Sequence, residues 1–376
     1  VSDHDVIIIG GGVAGAATGF FLAPHRRVLL LERESYAGYH STGRSGALWI
    51  EHYGPPAVRA LTRATRDFLE APPEGFAEVA ILAPPCGTLT VAPKDSPASH
   101  EQFETLLRDP EPGAQQREIS VAEACAMLPM LRAEAIAGAV FQPGTRSIDV
   151  DALLQAYLRG VRRAGGTVLF DAPVDSIARA DGAWSVHTPQ GAFTAPVVVN
   201  ASGAWADIVA AMAGIPTLGV QPLRRTGVIV DPPSGMSIAN WPFLLDAAES
   251  FYCKPEAGRL MLSPADETLA EASDAFPDDM DVAIAIDRVQ SVADLPVRRV
   301  VRSWAGLRSF TPDRAPAIGF DPHTEGFYWV AGLGGYGLQT SAGYGRLAAA
   351  QIAGAALPDG LRDADPALFA PGRFRT

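Results

Sequence analysis

The sequence predicts an α/β part built on a parallel sheet, interrupted by a mainly antiparallel β part. Three observations carry this. The β-branched run Val6-Ile7-Ile8-Ile9 leads directly into the glycine-rich turn Gly10 to Gly15, as a strand buried on both faces of a parallel sheet does. A second apolar run, Arg27 to Leu31, ends at an acid, Glu32, which completes a βαβ unit. Strand-like runs separated by turn residues fill 219–309. The organisation expected is a first part made of 1–50, 146–218 and 310–376, and a second made of 51–145 and 219–309.

The elements follow in order. Ala16 to Leu22 reads as the helix after the glycine turn. Residues 51–145 are Pro-rich, with short helical patches such as Ala57 to Leu69. Asp149 is placed to cap a helix whose Leu153, Leu154, Tyr157 and Leu158 share one face, and Gly165-Gly166 stops it. Strands are expected at Thr167 to Phe170 and Pro196 to Asn200, with a hairpin over Ala183 to Thr188 and Gly191 to Thr194. A second hairpin, Ser250 to Lys254 with Arg259 to Leu262, turns at Pro255-Glu256-Ala257-Gly258. The acidic stretch Asp266 to Asp281 reads as a solvated loop. Near the end, Phe327 to Ala331 is a strand and Ser341 to Ile352 a helix.

Composition narrows the function. Hydrophobic residues are 48% and charged residues 19% of 376, which excludes intrinsic disorder. The net charge of -12 disfavours a phosphate-backbone partner. Three cysteines, Cys86, Cys125 and Cys253, make no disulfide framework in so long a chain and fit a reducing cytoplasm. No metal cluster is expected. Val6 to Ala23 carries no charge, but its glycines fit a strand–turn–helix rather than a membrane span. Ser2-Asp3-His4-Asp5 is unlike a signal peptide. A cytoplasmic protein is expected, with peripheral association to the inner membrane as the variant.

Gly10-X-Gly12-X-X-Gly15 lies between strand and helix, and Glu32 closes the second strand. The first glycine makes the turn, the second lets backbone approach a pyrophosphate at the helix N-terminus, and the third lets helix and strand pack closely. Glu32 can accept from a ribose hydroxyl, which disfavours a 2′-phosphate. This is the Rossmann pattern. FAD is favoured over NAD because the next segment is not another βα unit. It is the small, polar run Gly38 to Ala47, suited to lie along an extended cofactor. A second glycine-rich segment, Gly332 to Thr340, joins a strand to a helix whose N-terminus can stabilise charge on a reduced flavin.

These segments, with Glu32-Arg33, Ser41-Thr42-Gly43-Arg44-Ser45, Asn200-Ala201-Ser202-Gly203-Ala204-Trp205 and Gly334-Gly335-Tyr336-Gly337, resemble FAD oxidoreductases of the D-amino acid oxidase type, which include glycine and sarcosine oxidases. Arg59-Ala60-Leu61-Thr62, Glu249-Ser250-Phe251-Tyr252 and Trp304 to Phe310 extend the resemblance toward the bacterial D-arginine dehydrogenase group. It covers essentially the whole chain. It implies a Rossmann-type FAD-binding domain interrupted by an antiparallel β substrate-binding domain. The cofactor residues it implies are Gly10, Gly12, Val13, Ala14, Gly15, Glu32 and Arg33, then Ser41, Thr42, Arg44, Ser45, Gly46 and Ala47. Val174, Ala201, Ser202, Gly203 and Trp205 follow, and then Gly334, Gly335, Tyr336, Gly337, Leu338, Gln339 and Thr340.

The resemblance also implies a carboxylate clamp of Arg225, Arg308 and Tyr252, with Tyr53 near the substrate and the Gly335 carbonyl receiving its amine. An arginine fork suits a carboxylate plane. Arg224 is the neighbour with which Arg225 could be confused. The positions that hold a guanidinium in the D-arginine enzymes read Leu48, Ile50 and Gly87 here. Phe243 and Leu245 are apolar, Trp49 replaces a smaller aromatic, and Gly87 offers room. Burying an unpartnered guanidinium costs several kcal/mol, so D-Arg and D-Lys should be poor substrates and apolar side chains favoured. His52 beside Tyr53 is a candidate for tuning the amine proton, with a structural role as the alternative.

The implied reaction is hydride transfer from substrate Cα to flavin N5, giving an imino acid that hydrolyses to a 2-oxo acid and ammonia. Arg308-Ser309-Phe310-Thr311-Pro312-Asp313 has no cysteine where sarcosine oxidase bonds its flavin, so non-covalent FAD is expected. The leading expectation is a dehydrogenase of hydrophobic D-amino acids passing electrons to a quinone or another carrier. The alternatives are an oxidase of D- or secondary amino acids using oxygen, a 2-hydroxy acid dehydrogenase, and a non-catalytic flavoprotein.

Overall fold

The computed structural model describes residues 3–109, 115–354, 357, 359–361 and 365–375. Two large sheets organise it. The first has six strands in the order Ala317–Phe320, Phe327–Ala331, Val197–Asn200, Val6–Ile9, Val28–Leu31 and Thr167–Leu169. All pair in parallel except Ala317–Phe320, which runs antiparallel to Phe327–Ala331. Val6–Ile9 sits centrally and is fully buried, which is why its sequence shows no alternation. Helices Val13–Leu22, Val150–Arg163 and Ser341–Ala353 pack beside it. Asp149 caps the second of these by accepting from the Ala152 N–H at 2.9 Å.

The second sheet has ten strands. Its longest pair, Gln221–Val230 and Val300–Phe310, lies near one edge and runs antiparallel, with Leu223 opposite Arg308 and Arg225 opposite Gly306. That register puts Arg225 and Arg308 on one face, as diagonal neighbours. Arg259–Ser263, Tyr252–Glu256, Phe243–Asp246 and Thr88–Pro93 continue the sheet outward. The fold is mixed α/β, a Rossmann-type half joined to a mainly antiparallel β half.

Several expectations need correction. The helix Pro56–Glu70 packs on Ser341–Ala353, with the Gly343 N–H bonded to Thr65 Oγ1 at 2.8 Å. Residues from Ala57 to Leu82 share the apolar core of the six-stranded sheet, so the boundary expected at residue 50 falls inside a packing unit. The expected hairpin over 183–194 is a three-stranded meander that also includes Ser176–Ala180. The acidic stretch is mostly exposed, as a solvated loop would be, but several of its carboxylates are engaged. Asp266 accepts from the Thr226 N–H at 2.7 Å, Asp274 from Tyr39 Oη at 3.0 Å, and Asp281 from Arg224 at 2.7 Å. It straps the β sheet to the loop 39–44.

Among the described residues, no helix is long and apolar enough to cross a membrane, and no group of His, Cys, Asp and Glu side chains could hold a metal. Residues Val6 to Ala23 form a strand, a turn and a helix.

Candidate active site

A cavity of roughly 430 Å³ runs across the C-terminal ends of the parallel strands and under the β sheet. At its floor, Gly10 has φ +113°, and a Cβ there would lie 2.5 Å from the Ala201 carbonyl oxygen. A Cβ on Gly15 would overlap the Gly10 carbonyl oxygen. The absent side chains let the N-terminus of Val13–Leu22 stand open to the cavity. Thr42 Oγ1 accepts from the Val13 N–H at 3.1 Å and fixes the approach of the following loop. Glu32 is buried and accepts from the Gly11 and Glu34 N–H groups at 2.7 and 2.9 Å. Burial raises its pKa, opposed by those two hydrogen bonds.

Most of the expected cofactor residues converge here. Gly10, Gly12, Val13, Ala14, Glu32 and Arg33 line the cavity with Ser41, Thr42, Arg44, Ser45 and Gly46. Val174, Ala201, Ser202, Gly203 and Trp205 form another wall, and Gly334, Gly335, Gly337 and Leu338 a third. Others do not. Gly15, Tyr336 and Thr340 line neither this cavity nor the smaller one beside it: Gly15 serves helix–strand packing, Thr340 Oγ1 bonds back to the Tyr336 carbonyl, and Tyr336 packs on Tyr53 and Phe310. Ala47 and Gln339 belong to a smaller adjoining cavity. Arg44 borders the large cavity, but its guanidinium serves the protein, bonding the carbonyls of Tyr39, Ala275 and Ala305 and the carboxylate of Asp274.

Sequence reasoning named no site role for His40, which also lines the cavity. Its Nε2 is 2.9 Å from Glu34 Oε1, and its ring packs on Trp205, over which the Arg33 guanidinium lies at 5.0 Å. Its place between Glu32 and Ser41 was the available signal.

The smaller cavity, of roughly 60 Å³, adjoins the large one through Ser45, Gly46, Arg225, Tyr252, Arg308 and Gly335, which line both. Leu48, Ile50, Tyr53, Phe243, Leu245, Ala265 and Gln339 complete it with one acid, Glu249. Glu249, which had no site role in the sequence reading, accepts from Tyr53 Oη at 3.0 Å. Trp49, His52 and Gly87 line neither cavity, against expectation. Trp49 is turned into the core of the six-stranded sheet. Gly87 adds no room: it has φ +75°, and a Cβ there would lie 2.5 Å from the Phe141 ring.

Arg308 is the centre of this cavity. It donates a hydrogen bond to no described residue, and its guanidinium lies where a Cβ on Gly335 would be 2.9 Å from Cζ. Arg225 also faces the cavity, whereas Arg224 is taken by Asp281. Burial raises the Tyr252 phenol, but Arg308 and then Arg225 outweigh it and hold its pKa below the ordinary value of 10. A neutral phenol is compatible with an anion at the two arginines, and a phenolate would repel it. Acetate affinity should therefore fall as pH rises through a pKa below 10, and Tyr252→Phe should remove that loss. Titrating both proteins with acetate across alkaline pH checks this, and identical profiles would contradict it.

The site thus offers an open helix N-terminus with an acid positioned beyond it. An apolar cavity containing an unpartnered guanidinium opens beside it. The sequence profile described as "FAD dependent oxidoreductase", DAO, matches residues 5–351. The chain belongs to that family. FAD is its cofactor, and it is a flavin-dependent oxidoreductase. The cradle fits: only bare glycines leave space at the first turn, and Glu32 stands at the end of the second strand. Family members similar to it include glycine oxidase of Geobacillus kaustophilus, 29% identical over 88% of this chain and 87% of its own length. Human mitochondrial dimethylglycine dehydrogenase is 27% identical over 99% of this chain, which spans 45% of that longer protein. The crystal structure of the Geobacillus glycine oxidase superposes with a TM-score of 0.84 at 25% identity, covering 99% of both chains. That of L-proline dehydrogenase from P. horikoshii superposes at 0.83 with 22% identity over 99% of this chain and 98% of its own, a likeness of fold.

Proposed function

We propose that this flavoenzyme oxidises α-amino acids with small, uncharged side chains, of D configuration where the carbon is chiral. The carrying observation is the unpartnered Arg308 guanidinium facing a small apolar cavity beside Gly335. Arg308 and Arg225 would take the substrate carboxylate, Tyr252 would donate to it, and the Gly335 carbonyl would accept from the amine. Leu48, Ile50, Phe243 and Leu245 would pack on the side chain and exclude water. FAD, when bound, supplies the hydride acceptor. We expect non-covalent binding: Cys86, Cys125 and Cys253 line neither cavity, so none stands where it could form a thioether to the flavin.

Size partly reverses the expectation drawn from sequence, which favoured larger apolar side chains. At roughly 10–15 Å³ per water-sized group, a cavity near 60 Å³ suits glycine, D-Ala or sarcosine better than D-Phe. No polar partner for a guanidinium stands at Leu48 or Ile50, and the one acid of the cavity, Glu249, already accepts from Tyr53, which supports exclusion of D-Arg. The second reading is oxidation of secondary amino acids. It is favoured by the similarity to dimethylglycine dehydrogenase and to sarcosine dehydrogenase, 24% identical to the human protein over 92% of this chain and 39% of that one.

Mixing the holoenzyme anaerobically with glycine, D-Ala, D-Leu, D-Phe, D-Arg, L-Ala and sarcosine, and following the flavin's visible absorbance, tests both. Bleaching by D-Ala ahead of D-Phe, with none by D-Arg, is expected. Bleaching by sarcosine alone would select the second reading, and fast bleaching by D-Arg would overturn the pocket argument. Readmitting air then separates an oxidase from a dehydrogenase that needs a quinone or other carrier.

A further inference from the structure

The two cavity arginines differ in what already holds them. Arg308 gives no hydrogen bond to any described residue, whereas Arg225 donates from Nε to the Asp266 carbonyl at 2.7 Å and from Nη2 to Glu267 Oε1 at 3.2 Å. The same Glu267 oxygen accepts from Arg314 Nη2 at 2.8 Å. The Arg225 side chain is 12% exposed and that of Arg314 46% exposed. Arg314 lies 3.9 Å over the Phe310 ring, which packs on Tyr336, and Tyr336 on Tyr53. One carboxylate therefore bridges a cation inside the site and a cation at its rim.

We propose that Glu267 is a positioning residue that fixes the Arg225 fork and sets how much positive charge it presents to a bound carboxylate, with Arg314 drawing part of Glu267's charge away. This rests on the reading of Arg225 and Arg308 as a carboxylate clamp. A carboxylate within hydrogen-bond reach of Arg225 offsets its attraction for a second anion, an effect that water moderates here because the Glu267 side chain is 34% exposed. Arg314 opposes that offset by competing for the same oxygen. Glu267 also lies in the strap 266–281, so the segment that grips the loop 39–44 also orients this arginine.

The two halves of the bridge should act with opposite sign. In the holoenzyme, calorimetric titration with acetate, with chloride as the control for ionic strength, should show Glu267→Gln binding about three- to tenfold more tightly than wild type. Arg314→Gln should bind more weakly by a similar factor, because Glu267 is then left wholly to Arg225. Arg314→Lys should restore wild-type affinity. The amino acid KM should move with the acetate Kd while kcat changes less than about twofold. A merely structural network would loosen the site in both glutamine variants, so weaker binding in both overturns the proposal, as does unchanged binding in both. Should Glu267→Gln not fold, unchanged acetate affinity in Arg314→Gln, or failure of Arg314→Lys to restore it, still overturns the proposal. If wild type binds acetate no better than a variant lacking Arg308, the clamp reading itself fails, and the role of Glu267 fails with it.

Discussion

Replacing Arg308 with Met should lower kcat/KM for the amino acid substrate by roughly 30- to 5,000-fold, the equivalent of ~2–5 kcal/mol lost when one partner of a buried charge pair is removed. FAD content should be unchanged. The side chain projects from the longest strand pair of the ten-stranded sheet, and the register opposite Leu223 fixes its direction. Burial opposes its charge, while Tyr252, Tyr53, Tyr336 and Glu267 favour it and outweigh the burial, and no described residue claims its fork. Such a group is poised for an anion that arrives with substrate. Lysine should recover only part of the loss, since a point charge cannot present two parallel donors. Gly335→Ala should produce a related but smaller loss without unfolding, because the new Cβ meets only the movable end of Arg308. Steady-state kinetics with flavin content measured on each variant checks the set. An Arg308→Met enzyme within threefold of wild type would remove this residue from substrate binding.

The parts legible in sequence were those whose physics is local. Phe327–Ala331 lies where its continuous apolar run put it, because a strand buried on both faces needs no polar alternation. The glycine turn was legible because a backbone approach that excludes Cβ leaves only one residue type. Ser176–Ala180 was missed because only Ile177 in it is buried, so its sequence shows no pattern. The acidic strap, mostly exposed as expected, was read only in part for a different reason. Its charges look solvated until Arg44, Arg225 and Thr226, distant in sequence, are brought against them. Gly87 failed likewise, since the space beside it is taken by the Phe141 ring of a neighbouring strand. Glu249 has φ +55° and sits in a turn, a setting that ordinarily marks surface rather than site. Local rules therefore place the cofactor cradle well, while side-chain selectivity depends on long-range contacts that no spacing reveals.

Gly15→Ala should cost ~3 kcal/mol or more of stability, at the upper end for overpacking, lower Tm by roughly 6 °C and strip the protein of FAD. The added methyl would overlap the Gly10 carbonyl oxygen and lie 3.1 Å from Ile8 Cγ2. The first contact is backbone and cannot rotate away. Relief requires the helix Val13–Leu22 to move off the central strand, and its N-terminus is what faces the cavity. Stability and cofactor affinity should therefore fall together, which distinguishes this position from one that merely touches the ligand. Gly46→Ala is the internal comparison. That residue lines both cavities, yet a Cβ there meets nothing nearer than Met261 Cε at 3.7 Å, so the apoprotein's Tm should stay within about 1 °C. Thermal unfolding of the apo- and holoproteins, with flavin released on denaturation as the measure of occupancy, separates the two effects. Wild-type occupancy in Gly15→Ala would mean that the cradle tolerates a wider helix–strand gap than its geometry implies. A loss of occupancy without a loss of apoprotein stability would place Gly15 against the cofactor itself, because a backbone collision must destabilise the empty fold as well.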